Sequence, residues 1–168
     1  MIEVIVAIVV STIVLVGVGT ILINSWLTQQ DVTSTTQATN RGQLITSAVE
    51  RAMRNGIAFQ VTGTDGSELW VWTSLPAGAE CQGFRLTDGA AQMKSSDGAL
   101  GAPSEWPEWQ EGVQQRTTTA GVPIDFFTEA GRTVSYTFDI RTDSAPVRFG
   151  GEASTRYASS GGVNPCWT

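Results

Sequence analysis

Histidine is absent from all 168 residues, which removes the commonest general base, the Ser-His-Asp triad and most zinc sites together. Lysine occurs once, at Lys94, and ten basic residues stand against sixteen acidic ones for a net charge of -6. So few cations disfavour generic binding to nucleic acid, whose backbone a protein must neutralise. Charge of either sign is scarce, at 15% of residues against about a quarter in soluble domains. The deficit has a location: no residue between Glu3 and Asp31 is charged, and no proline occurs in the first 55 positions. Cysteine appears twice, at Cys81 and Cys166, with no CxxC spacing and no adjacent basic residue, which argues against redox or nucleophilic thiol chemistry.

What fills the charge-free stretch is aliphatic. From Val4 to Ile23, twenty residues are broken only by Ser11, Thr12, Gly17, Gly19 and Thr20, a helix long enough to span the ~30 Å hydrocarbon layer of a bilayer. A secretory signal peptide would instead begin with Lys or Arg, carry a shorter apolar run and end in small residues before a cut. Here Glu3 sits at the start, and Asn24-Ser25-Trp26-Leu27 continues as polar helix with an interfacial aromatic. Residues 1–27 are therefore read as an uncleaved membrane segment.

Residues 28–55 continue the helix without a turn signal. Leu44, Ala48 and Ala52 form one stripe beside Ile45, Val49 and Met53, the i, i+4 spacing of an amphipathic helix. Arg51 and Arg54 complement the carbonyl end of the helix dipole, and Gly56 supplies a cap. One helix from near residue 1 to Asn55 would be about 80 Å long, so its first half must project. The Thr-rich stretch Thr33 to Thr39 and then Gly42 favour a bend or weak turn.

From residue 56 to 168 the pattern is β. Thr133 to Arg141 alternates strictly, Leu69 to Thr73 places Trp70 and Trp72 on one face, and Phe84 to Thr87 and Ala90 to Ser95 flank the hairpin dipeptide Asp88-Gly89. Val122 to Thr128 and Val147 to Arg156 bring the expectation to about six strands, with Ser96 to Gly121 and Ser159 to Gly162 read as loops. The fold class is α+β: a long N-terminal helix, apolar and projecting in its first half, amphipathic in its second, packed on an antiparallel sheet.

On the membrane route, two cysteines suggest a Cys81–Cys166 disulfide, two buried thiols that never meet being the alternative. Glu3, at the end of an apolar run, must be exposed at the interface, protonated or paired. Either it lies at the membrane surface, or it meets an α-ammonium group when many such helices pack away from water, fixing their axial register. Gly17 and Gly19 are either a place where the helix unwinds or a site of close helix approach. Glu105, Trp106, Glu108, Trp109 and Glu111 combine acids and aromatics as sugar sites do, but a packed aromatic loop explains them more simply. Asp65-Gly66, Asp88-Gly89 and Asp97-Gly98 lack spaced oxygen ligands and read as turns, so neither metal nor cofactor is assigned.

Ile2-Glu3-Val4-Ile5-Val6-Ala7-Ile8-Val9-Val10, then an apolar helix, an amphipathic continuation, a β domain and a cysteine two residues from the C-terminus, resembles the type IV pilin superfamily. The resemblance implies a subunit cut from a short leader by a prepilin peptidase, methylated at its new N-terminus, held in the inner membrane and then packed with other pilin subunits into an extracellular filament. It implies that Glu3 is the acid of the family motif, that Met1 belongs to the same assembly element, and that the two cysteines bound a surface loop region. The family has four residues before the acid in the mature chain, usually an aromatic, Thr, Leu and Ile. Here Met1 and Ile2 alone precede Glu3, so the expectation is either a longer natural chain, with Met1 where the family has Leu, or different processing. The apolar helix also lacks the proline of many relatives, leaving Gly17 and Gly19 as substitutes for a kink. The functional expectation is a structural pilus subunit, major or minor, or the related secretion pseudopilin, and not an enzyme. A membrane-anchored exported binding protein or enzyme is the alternative.

Overall fold

The computed structural model describes residues 2–75, 78–156 and 165–167. A single helix, α1, runs from Ile2 to Arg54 over 53 residues, and Asn55 alone separates it from the first strand. There is no interruption at the Thr-rich stretch or at Gly42. Thr33, Thr36 and Thr39 turn their hydroxyls back onto the carbonyls of Gln29, Val32 and Thr35 at 2.7–2.8 Å, so residues that are weak helix formers in isolation satisfy their polar atoms within the helix.

Eight strands follow: β1 Gly56–Thr62, β2 Glu68–Leu75, β3 Gly78–Leu86, β4 Gly89–Ser96, β5 Glu108–Gln114, β6 Phe127–Ala130, β7 Thr133–Ile140 and β8 Val147–Ser154. All pair antiparallel in one sheet, β1-β2-β3-β4-β5-β7, with β6 and β8 also on β7. β8 occupies one edge of β7 along its whole length, while β5 and β6 share the other, β5 at the Ile140 end and β6 at the Thr133 end. Thr87 and Ala90 exchange two backbone hydrogen bonds around Asp88-Gly89, with Gly89 at φ 120°, as the hairpin signal predicts.

The sequence reading counts too few strands, for local reasons. β1 has no clean alternation, and β5 lies inside the stretch read as loop. Its register against β4 skips Trp109 and Gly112, and with Gly112 at φ 80° these bulges destroy the period-two pattern. The segment 122–128 is mostly not strand: Pro123, which has no N–H to donate, makes only an isolated bridge to Thr117, Val122 is exposed, and β6 begins at Phe127. Residues 159–162, read as a loop, lie outside the described residues.

The sheet has two differently covered faces. On one, Ile45, Val49 and Met53 of α1 meet Phe59, Leu69, Val71, Phe84, Phe127, Val134, Phe138 and Ile140. The buried stripe of α1 is Ala38, Gly42, Ile45, Ala48, Val49, Ala52 and Met53. Leu44, which the spacing assigns to the inner face, is exposed; Gly42 and Ala38 take the inward line because the sheet comes too close there for a larger residue. A methyl group on Gly42 would fall inside the Phe149 ring of β8. On the other face Trp106, Leu100, Cys81 and Cys166 form a second cluster with Trp70, Trp72 and Trp167. Trp106 lies over Gly83, where any side chain would collide with the indole, and meets Trp70 edge-on at 5.1 Å.

Candidate assembly surface

Among the described residues, the first half of α1 lies outside the core that its second half shares with the sheet. Every large apolar side chain from Ile2 to Leu27 is exposed, from 49% at Val18 to 80% at Ile2. A bare apolar column of this size is far beyond the patches that soluble monomers tolerate. α1 is the one helix among the described residues long and apolar enough to cross a membrane, a property that a signal sequence shares.

Two hydroxyls on this column are satisfied within the helix itself. Thr12 donates to the Ile8 carbonyl and Thr20 to the Gly17 carbonyl, each at 2.8 Å, so neither hydroxyl needs a partner from the surroundings. Glu3 lies in the first helical turn, where the partial positive charge of the unpaired N–H groups favours an anion. Gly17 and Gly19 lie within unbroken helix, with open space around the position of a side chain. Met1 lies outside the described residues.

The second half of α1 is fastened to the sheet by polar contacts that no sequence pattern indicates. The Tyr136 hydroxyl donates to Glu50 Oε1 at 2.8 Å. Burial, and then the carboxylate it faces, push the Tyr136 phenol up, so it stays a donor throughout the physiological range. Arg41 donates to Glu111 Oε1 at 2.7 Å. With Phe149 against Gly42, and Phe149 stacked on Phe138 at 5.3 Å, these contacts set the line along which the bare half leaves the sheet. The only sequence-level trace of Tyr136 is its place on the apolar face of the most regular strand.

The Cys81–Cys166 disulfide is present, with Cα atoms 5.4 Å apart. It joins β3 to the C-terminal segment, which the Leu100 N–H also reaches through the Cys166 carbonyl. The acid-and-aromatic stretch is split by the fold. Trp106 is buried beside the disulfide and donates to the Leu100 carbonyl at 3.2 Å. Trp109 packs on the helix-facing core, while Glu105, Glu108 and Glu111 remain exposed. Asp65-Gly66 lies in a single 3₁₀ turn, Thr64–Gly66, where both residues have positive φ.

On the surface of β5, β7 and β8 facing away from α1, Asp139 sits between two arginines. Its carboxylate lies 3.7 Å from Arg116 Nε and 3.9 Å from Arg148 Nε. Burial pushes the Asp139 carboxyl up against the pull of both cations. Gln114, directly across from Asp139, accepts from Arg141 at 3.0 Å once its amide is turned to face the guanidinium.

The chain matches no protein-family model, no curated protein and no solved structure.

Proposed function

We propose that this protein is a structural subunit of an extracellular type IV pilus-like filament, polymerising through the apolar half of α1 with Glu3 setting register. The observation that carries the reading is the division of one continuous helix: its second half packs into the sheet's core, while its first half is dominated by large apolar side chains that are all exposed. A bilayer can cover that column, and so can copies of itself. A simple membrane anchor has no use for a rigid helix that runs without a linker into the core of the exported domain, or for a carboxylate at its far tip. In a filament the same column becomes the interior, and an acid there must find a cation, which puts helices of neighbouring copies at one axial offset. The subunit is then membrane-inserted before assembly and surface-exposed after it, with processing and assembly machinery of the pilin kind as partners.

The test is mass spectrometry of filaments sheared from the cell surface, combined with membrane fractionation. The subunit should be abundant in the sheared material, and its first peptide should carry the mass of the processed N-terminus. A subunit confined to the membrane fraction, with none in sheared filaments, would leave the anchored binding protein or enzyme as the reading.

A further inference from the structure

A subunit with net charge -6 repels its own copies at close range, and the ten basic residues are the only means of offsetting this in a homopolymer. Their placement is therefore informative. Two of them, Arg116 and Arg148, converge on the sheet face turned away from α1, around the single carboxylate of Asp139. This cluster carries one positive charge more than it neutralises. Its ion pairs are loose: both arginines approach Asp139 through Nε at 3.7 Å and 3.9 Å, beyond hydrogen-bond length. Among the described residues neither the Arg116 nor the Arg148 guanidinium makes a hydrogen bond, and Arg148 is 73% exposed. Among the described residues both guanidinium groups are thus free of hydrogen bonds, and a guanidinium takes up a carboxylate in bidentate fashion. Asp139 does not saturate them, because its Oδ1 is buried without a hydrogen bond of its own.

The complementary charge is on the same chain. Between Lys94 and Arg116 there is no basic residue, and Asp97, Glu105, Glu108 and Glu111 all fall in that stretch. Arg41 neutralises Glu111. Glu105 and Glu108 are exposed, at the end of the turn Pro103–Glu105 and the start of β5, and among the described residues neither has an ion-pair partner. Buried Trp106 between them holds this corner rigid, so presenting the two acids costs little ordering entropy.

We propose that, in the filament, the Arg116–Arg148 face of one subunit receives the Glu105–Glu108 corner of a second copy. The inference rests on the filament reading above and specifies its outer contact. Because the two patches are different surfaces of one chain, the contact is heterologous, the type that propagates instead of closing on itself. It joins the globular domains at a radius where the apolar helices do not reach, and its strength falls as salt rises.

The test is charge reversal in the full chain, read as filament recovered by shearing. Arg148→Glu alone, and the pair Glu105→Arg with Glu108→Arg alone, should each lower filament yield about tenfold, while all three changes together should restore it to within about twofold of wild type. Lack of thiol labelling at Cys81 and Cys166 and normal membrane levels verify that each variant folds. Should Arg148→Glu fail to accumulate, Arg148→Gln should still lower the yield, and wild-type yield in both it and the acidic-side pair overturns the contact. Filament at wild-type level in both single-sided variants overturns the contact but leaves the filament reading standing, and so does loss in both without rescue in the combination. Absence of filaments from the wild-type protein overturns both.

Discussion

The two halves of α1 are made of the same element and differ in everything else. From Ala38 to Met53 the helix has one buried stripe of mostly small residues, two polar ties to the sheet and a glycine in contact with an aromatic ring. From Ile2 to Leu27 it is predominantly apolar, and every large apolar side chain is exposed. A helix hydrophobic on every side is a helix meant for burial, and among the described residues nothing covers this one. The comparison teaches that the core draws its helical residues from the second half alone, Ala38 to Met53.

The largest expected effect falls on the bare half and leaves the domain untouched. Glu3→Leu should abolish filaments, at least tenfold by recovery in sheared material, while thermal unfolding of the β domain stays unchanged; wild-type filament yield would refute the register role. Removing the disulfide should act in the opposite manner. In the loop-entropy model, Cys81→Ser costs about 4 kcal/mol of domain stability, measurable by denaturant titration with and without reductant, and assembly suffers only through loss of folded subunit. A midpoint unmoved by reductant would sink this expectation.

Glycine sharpens the contrast, since one substitution should have opposite signs in the two halves. Gly42→Ala drives a methyl group into the Phe149 ring and should destabilise the domain by about 2 to 3 kcal/mol. Tyr136→Phe leaves the half-buried Glu50 carboxylate without its donor and should cost about 2 kcal/mol, with Glu50→Gln in the same background recovering part of it in a double-mutant cycle. The smallest change is Gly17→Ala, where nothing lies within reach of the added methyl. It should raise local helix stability by about 1 kcal/mol, seen as equal or greater helicity by circular dichroism in micelles. A fall in helicity would show that the residue is conformationally special even in the isolated subunit.

Much of this was legible in the sequence. Periodicity and charge placement locate the helix and its two-part character, strict alternation gives β7, Asp88-Gly89 gives the β3–β4 turn, and two cysteines leave one intramolecular pairing. What escaped shares a physical cause: it depends on contacts between residues distant along the chain. Leu44 fits the apolar stripe by spacing but faces outward, because the inward line was set by how close β8 approaches, and only Gly42 and Ala38 fit there. β5 was hidden by bulges at Trp109 and Gly112, which interrupt the period of two. The arginine cluster assembles residues from β5, β7, β8 and their ends, and no short window of sequence contains it. Glu50, Tyr136 and Arg41, which hold helix to sheet, lie 70 or more residues from their partners.

Because Asn55 alone separates α1 from β1, the helix behaves as a lever whose fulcrum is the Gly42–Phe149 contact. Some 54 Å of helix stand beyond Ala38, at ~1.5 Å per residue. A tilt of about 5° at that fulcrum displaces Glu3 by roughly 5 Å, nearly one helical pitch of ~5.4 Å. The angular tolerance of the contacts around that fulcrum is thus amplified into the positional tolerance of a carboxylate at the far tip. A side chain 149 residues into the chain and one at its third position are coupled by leverage alone.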